Sequence, residues 1–490
     1  MLKQLKGQFI GNKWIQGKGK EFKSPSPFDD QSGWIGHNAT PDDVDAAALA
    51  ASEAFKSWSK LDITQRSAYL HTFVDILKDN KATLASLISA EIGKPNWEAL
   101  TEVASMIGKL EPTEQAFRER NSESFQQTKE GTSRTKFRPH GVIAVISPYN
   151  FPGHMPNGQI MPALLAGNTI VFKPCDIATA VAEQTVEYWK EAGLPSGVLN
   201  LVIGDGSVGQ LICQHPTIRG IFFTGSRNVG EHIRTSAPVD KLVALEMGGS
   251  SPLVVWDASN MEAAIFTTIQ SAFITAGQRC TGARRLIIPS NNFGQEFLLK
   301  LINSTRQIRI GRFDERPEPY MGPLRLPRMV DQLLAIQEGM ISQGAIPLLK
   351  SERLSLGNSF ISPGILDVTE ENPREDEEIF GPLLQVIRVK DFDSALLEAN
   401  NTKYGLAAGI FTEDASLYHK FQNEIQAGII NWNRQLTGAS PYTPFGGIKQ
   451  SGNYRPSGFL ATDYCVYSTG SIELEQLTLP PELPPGITLT

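Results

Sequence analysis

The sequence predicts an α/β chain of two parallel-sheet domains, with a small projecting hairpin and tail. Three observations lead there. The chain has 490 residues, too many for one core, because single cores stop growing beyond about 250–300 residues. Short apolar runs bounded by Gly and Pro alternate with helical stretches, the texture of strands covered by helices on both faces. Residues with chemical capability stand at the ends of those runs, where open parallel sheets gather ligands.

In chain order, residues 42–92 carry a helical period, and a pair of amphipathic helices is expected. Val44, Ala48, Ala51, Phe55 and Trp58 fall on one face, then Tyr69, Phe73, Ile76 and Leu77 on another, with Thr64 as N-cap of the second helix. Residues 120–138 turn polar and alternating around a Gly, which reads as a projecting hairpin. Next come the strand candidates GVIAVI (141–146), TIVFK (169–173), VLNLVIG (198–204), GIFFTG (220–225) and LVALE (242–246). A second alternating region, about 253–450, offers PLVVW, RRLIIP, LLQVIRV and AGIIN as strands of a second domain.

Bulk properties exclude several classes. Apolar residues make up 41% and charged residues 20%, so neither disorder nor a membrane protein is indicated. A net charge of -7 with dispersed Lys and Arg gives no basic patch for nucleic acid. No apolar h-region opens the chain and no run reaches membrane-spanning length, so a cytoplasmic location is expected. Four cysteines (Cys175, Cys213, Cys280, Cys465) without a C-x-x-C fit a reducing compartment, with three of them structural. Seven histidines form no H-x-x-x-H or Cys/His cluster, so no metal is expected, and neither a G-x-S-x-G elbow nor a Walker A loop is present.

Cys280 and Glu246 are the chemical centre. A thiol nucleophile and a carboxylate base together suffice for a two-step covalent reaction on a carbonyl. Ala276 and Gly277 before Cys280, and Thr281 and Gly282 after it, add little bulk, which suits close approach of a substrate.

Six segments, SPYNFP with Asn150, FTGS with Gly225, LEMGG with Glu246, GQRC with Cys280, EEIFGP with Glu378 and PFGGIKQSG from Pro444, resemble the aldehyde dehydrogenase superfamily in content and order. The resemblance covers nearly the whole chain and implies an aldehyde dehydrogenase-like fold. The NAD-binding domain is then expected over 1–119 and 139–248, the thiol-bearing catalytic domain over 249–462, and oligomerisation segments over 120–138 and 463–490. A homodimer or homotetramer is implied.

By the same resemblance, Cys280 attacks an aldehyde, Asn150 and the Cys280 backbone N–H hold the oxyanion, and Glu246 activates water. The cofactor is expected to be NAD. GDGSVG (Gly204 to Gly209) matches a dinucleotide fingerprint, yet the resemblance points instead to Gly225, Ser226, Arg227, Asn228, Val229 and Gly230 at a helix start. Lys173 and Asp176 would meet the adenine ribose, where a carboxylate repels a 2′-phosphate, and Glu378 and Phe380 the nicotinamide riboside. Ser250 and Ser251 depart from the usual residues after LELGG, which touches subfamily only. A closer likeness in Pro148 to Thr169 and NWNRQLTGA implies an anionic semialdehyde, counted as carrying three carboxylates, for which Arg279, Arg434 and His154 are the candidate partners. The alternatives are another semialdehyde, succinic or glutamic, a cysteine hydrolase or transferase without nucleotide, and a binding protein that kept the fold.

Overall fold

A computed structural model describes residues 2–371, 373–480 and 482–489. Two seven-stranded sheets dominate it. The first runs Leu242–Met247, Ile218–Gly225, Val142–Ile146, Thr169–Lys173, Leu199–Leu201, Gln8–Ile10, Lys13–Ile15. Its first five strands are parallel and its last two antiparallel. Val142–Ile146 and Thr169–Lys173 are buried at every position, which is why they are apolar on both faces rather than alternating.

The second sheet runs Ile346–Leu349, Gly364–Asp367, Leu383–Val389, Ala283–Pro289, Ser251–Val255, Ala407–Phe411, Ile429–Trp432, parallel except for the antiparallel edge Ile346–Leu349. Every strand run expected from the sequence lies in one of these two sheets. The sequence reading passed over Ala407–Phe411 inside the second sheet, the short strands Gln8–Ile10, Lys13–Ile15, Ile346–Leu349 and Gly364–Asp367, and a three-stranded N-terminal sheet of Leu2–Gln4, Asp29–His37 and Glu21–Ser26.

The helical region holds three helices within 42–92 rather than a pair: Pro41–Trp58, Ile63–Asp79 and Lys81–Ile92, followed by Asn96–Ile107 and Leu110–Arg120. Val44, Ala48, Ala51 and Trp58 are buried as their spacing requires, while Phe55 is half-buried. The second helix is capped by Asp62, two residues before the expected Thr64. Asp62 accepts from Gln65 N at 2.8 Å and Gln65 Oε1 accepts from Asp62 N at 3.0 Å, a reciprocal cap that satisfies two otherwise orphaned amides. Thr64 has no such partner three residues on. Phe73 stacks on Trp189 at 3.6 Å, tying these helices to the first sheet's cover.

The polar stretch is a hairpin. Ser124–Thr128 pairs antiparallel with Gly131–Pro139, which pairs in turn with Val466–Glu473 from the chain's end. Phe125, Ile472 and Leu474 are exposed on or beside this three-stranded sheet.

Candidate active site

A cavity of about 1210 Å³ lies where the carboxyl ends of the first sheet face the second domain. Asn150 follows Val142–Ile146, Lys173 ends Thr169–Lys173, Gly225 ends Ile218–Gly225, and Glu246 stands in Leu242–Met247 opposite Thr224. All four line the cavity, and so does Cys280.

Cys280 is positioned by an unusual turn. Helix Met261–Phe273 passes into a 3₁₀ turn, Ile274–Gly277, in which Thr275, Ala276 and Gly277 have φ of 60°, 49° and 69°. Left-handed backbone at consecutive residues is strained, and only the surrounding packing holds it. A Cβ on Gly277 would stand 2.2 Å from the Gly381 carbonyl oxygen. The small residue expected to admit substrate instead admits the backbone that follows Glu378 and Phe380, so the nucleophile loop and the Glu378 loop interlock.

Gln278 fastens this turn to the first domain. Its Oε1 accepts from the Tyr149 hydroxyl and from Arg325 N, both at 3.1 Å. Its backbone carbonyl accepts one Asn150 Nδ2–H at 2.8 Å. Asn150 is buried, and the fixed bond leaves its second N–H for an oxygen beside Cys280.

Burial pushes both Cys280 and Glu246 toward their neutral forms. Loss of hydration is the main reason that the Cys280 thiol is pushed up to about 12, with Glu378 and Glu246 adding to it and the Thr281 N–H and Arg284 opposing. Burial also raises the Glu246 carboxyl well above the ordinary range, against the Ser457 N–H at 3.2 Å and the charge of Lys109. Glu246 is 4% exposed and its Oε2 has no partner, an acceptor left over for a water or a proton.

At the other end of the cavity the residues suit a dinucleotide. Ser226 caps helix Arg227–Ser236 without a side-chain bond, so the first-turn amides stay uncovered, and such a helix start attracts phosphate. Gly225, Ser226 and Val229 line the cavity. Among the described residues, Arg227, Asn228 and Gly230 do not: Arg227 pairs with Glu231 at 3.4 Å and Glu377 at 4.0 Å, Asn228 is exposed, and Gly230 lies where a Cβ would meet Met247 Sδ at 2.4 Å. The rival fingerprint also borders the cavity through Gly206 and Gly209, but its helix start is already capped by its own acid. Asp205 caps helix Gly206–Gln214 by accepting from Ser207 N at 2.9 Å, which fills the place a phosphate would take.

Lys173, Asp176, Glu378 and Phe380 all line the cavity. Lys173 Nζ donates to Pro174 O at 3.0 Å, and Glu378 Oε1 accepts from Gly249 N at 3.3 Å. A Cβ on Gly248 would come within 1.8 Å of Glu378 Oε2, so the bare backbone is what lets the carboxyl sit there. Burial pushes Glu378 up to about 7, with Arg284 opposing. Of the cysteines counted as structural, Cys465 is buried away from the cavity, while Cys175 and Cys213 border its dinucleotide end.

The expected substrate contacts are distributed differently. His154 lines the cavity with its Nδ1 unpartnered, and burial, with Lys109, Lys94 and Arg279 nearby, holds the ring well below the usual range and neutral. Arg279 also reaches the cavity wall, but its charge is paired and each of its nitrogens is already bonded once: Nε to Thr275 Oγ1 at 2.7 Å, Nη1 to Thr437 O at 3.2 Å and Nη2 to buried Glu98 at 3.1 Å. Arg434 is exposed and outside the cavity lining. Lys109, which sequence reasoning did not pick, enters the cavity from the joint between Asn96–Ile107 and Leu110–Arg120. No short motif marks it.

Residues 14–468 match the aldehyde dehydrogenase family. The chain belongs to that family. It is 46% identical over 483 residues to N-succinylglutamate 5-semialdehyde dehydrogenase of Ectopseudomonas mendocina, covering 98% of this chain and 99% of the relative. Among solved structures, it resembles an NAD-dependent aldehyde dehydrogenase from Sinorhizobium meliloti at a TM-score of 0.93 and 26% identity, covering 98% of this chain and 96% of the other. An NADP-dependent enzyme of E. coli is similar at 0.90 and 28%, covering 95% and 97%. Aldehyde dehydrogenase chemistry needs a nucleophile, an oxyanion donor and a water-activating base around one carbonyl. Cys280, Asn150 and Glu246, which have those three kinds of group, line one cavity.

Proposed function

We propose that this chain oxidises N-succinyl-L-glutamate 5-semialdehyde to N-succinyl-L-glutamate, with NAD as oxidant. The observation that carries this reading is the 46% identity to enzymes of that name over 98% of the chain. The cavity's residues supply a mechanism. Cys280 Sγ adds to the carbonyl carbon as the thiolate, its proton having passed to water in the cavity. The carbonyl oxygen becomes an alkoxide held by the second N–H of Asn150 and the Cys280 backbone N–H. Bound NAD supplies the acceptor for the hydride, so the carbon attached to Cys280 is left as a thioester. Glu246, as the carboxylate, takes a proton from a water that adds to this carbon and returns it to Sγ as the C–S bond breaks, so acid and thiol separate.

Lys173, Asp176, Glu378, Phe380 and the uncapped start of Arg227–Ser236 would hold the dinucleotide. Asp176 favours NAD over NADP because a carboxylate repels a 2′-phosphate. The substrate carries two carboxylates and an amide; a count of three includes the one that the reaction creates. Residues 1–119 and 139–248 serve as the nucleotide domain and 249–462 as the thiol domain. Residues 120–138 and 463–490, with Phe125 and Ile472 exposed, join copies into a homodimer or homotetramer in the cytoplasm. Among the described residues no helix is long and apolar enough to cross a membrane.

The test is NADH formation from N-succinylglutamate 5-semialdehyde beside succinic, glutamic and simple aliphatic aldehydes, with Cys280→Ser as control. A much larger kcat/KM for the succinylated substrate is expected. Equal or better use of another semialdehyde would overturn the substrate assignment.

A further inference from the structure

Three cations line the cavity among the described residues: Lys109, Lys173 and Arg279. Two are committed. Lys173 is bonded to Pro174 O at the dinucleotide end, and Arg279 is held by Glu98, Thr275 and Thr437. The charges buried just behind this wall cancel as well, since Lys94 pairs with Glu102 at 2.6 Å and Arg279 with Glu98 at 3.1 Å. Lys109 makes no side-chain hydrogen bond or ion pair among the described residues. Its one acidic neighbour across the cavity, Glu246, is pushed by burial toward its neutral form and makes no bond to it. One ammonium is therefore left without a bonded partner on the side of the cavity that holds His154 and Glu246.

The helix His154–Ala166 makes room for it. Gly158 stands where a Cβ would lie 3.3 Å from Lys109 Nζ and 3.4 Å from Cε, so any side chain there would press on the ammonium. A glycine inside a helix is unfavourable by itself, and the ammonium above it gives this one a reason. The ammonium keeps a polar path to the cavity, with Thr101 and Ser105 of the preceding helix and the Thr437–Pro441 segment also lining this space.

We propose that Lys109 is a specificity-determining residue: its ammonium pairs with a carboxylate of the aldehyde substrate and selects anionic aldehydes over neutral ones. This rests on the reading of the chain as an oxidiser of an anionic semialdehyde. A partly desolvated cation without a partner is unfavourable alone, and an incoming carboxylate supplies the missing half of the pair. The cavity then discriminates by charge at a point separate from the reacting carbon. Lys109 itself is held down to about 8, chiefly by loss of hydration, and still carries its proton at pH 7.

The test uses the full chain with saturating NAD, comparing kcat/KM for N-succinylglutamate 5-semialdehyde with that for butanal. In Lys109→Met the ratio should fall about 10–100-fold, the range of one charged hydrogen bond, mostly through KM of the anionic aldehyde. Gly158→Ala, which displaces the ammonium without removing it, should shift the ratio the same way. A ratio within twofold of the unmodified enzyme in both variants would overturn the proposal, and so would equal losses on both aldehydes, which would place Lys109 behind Glu246 instead. Should the unmodified enzyme prefer a different anionic semialdehyde, the substrate reading fails and the ratio taken with that aldehyde decides Lys109. Should it favour no anionic aldehyde over butanal, both fail together.

Discussion

Arg279 stands one residue from Cys280, yet the structure gives it a load to carry rather than a ligand to bind. Its partner Glu98 has a fully buried side chain, and its own side chain is 13% exposed. Replacing Arg279 with Met removes the guanidinium from Glu98, Thr275 and Thr437, and from the face of Phe151, over which it lies at 4.8 Å. Breaking a buried ion pair on one side typically costs about 3–5 kcal/mol, because the remaining charge is stranded; replacing both partners by apolar groups of similar volume is far milder. Urea unfolding of Arg279→Met should therefore show a loss in that range. Glu98→Met should show a similar loss, and the double variant much less than their sum. The turn at Thr275 to Gly277 rests on the same network, so kcat should fall in the single variants alongside stability. If Arg279→Met unfolds within about 1 kcal/mol of the unmodified protein, the normal scatter of surface substitutions and a little more, while KM for the anionic aldehyde rises sharply, the structural role is refuted and the substrate role stands.

Other consequences can be checked directly. Asn150→Ala should lower kcat about 10²–10³-fold, as loss of one oxyanion donor does elsewhere, with little change in dinucleotide affinity by fluorescence titration. Gly277→Ala forces a Cβ into Gly381 at a positive φ, and should destabilise by about 1–3 kcal/mol and lower kcat. Glu378 is raised to about 7, so it is a neutral acid below that pH and a carboxylate above it; if it accepts from ribose hydroxyls, Kd for NAD should fall as pH rises from 6 to 8, and Glu378→Gln should flatten that dependence.

Much of this was readable beforehand, for definite reasons. Strands such as TIVFK, buried on both faces, announce themselves as continuous apolar runs, and the residues at their ends are where a parallel sheet presents chemistry. Short strands such as Gln8–Ile10 gain their place only by joining an existing sheet edge, so nothing local marks them. Thr64 lost to Asp62 because a cap is decided by its partner three residues on, Gln65, and not by residue type alone. Arg279 and Arg434 have the right chemistry for a carboxylate, but composition cannot say that Glu98 takes one and solvent the other. Lys109 sits in no motif, and only the third dimension sets it above Gly158 and beside the cavity. Gly277 was noticed for its smallness, while the contact that demands it, Gly381, lies more than a hundred residues further along the chain.

The most direct test of the account is to trap the covalent intermediate. Because Glu246 acts on the hydrolytic water and not on the thiol, Glu246→Gln should still let Cys280 add to the aldehyde and the adduct lose hydride, but slow the hydrolysis that follows. Mixing this variant with NAD and N-succinylglutamate 5-semialdehyde, then quenching in acid for peptide mass spectrometry, should show the N-succinylglutamyl acyl group on the peptide bearing Cys280, with a matching burst of NADH. NADH formation with no adduct on Cys280 at any quench time, or an adduct on Cys175, would contradict the central claim.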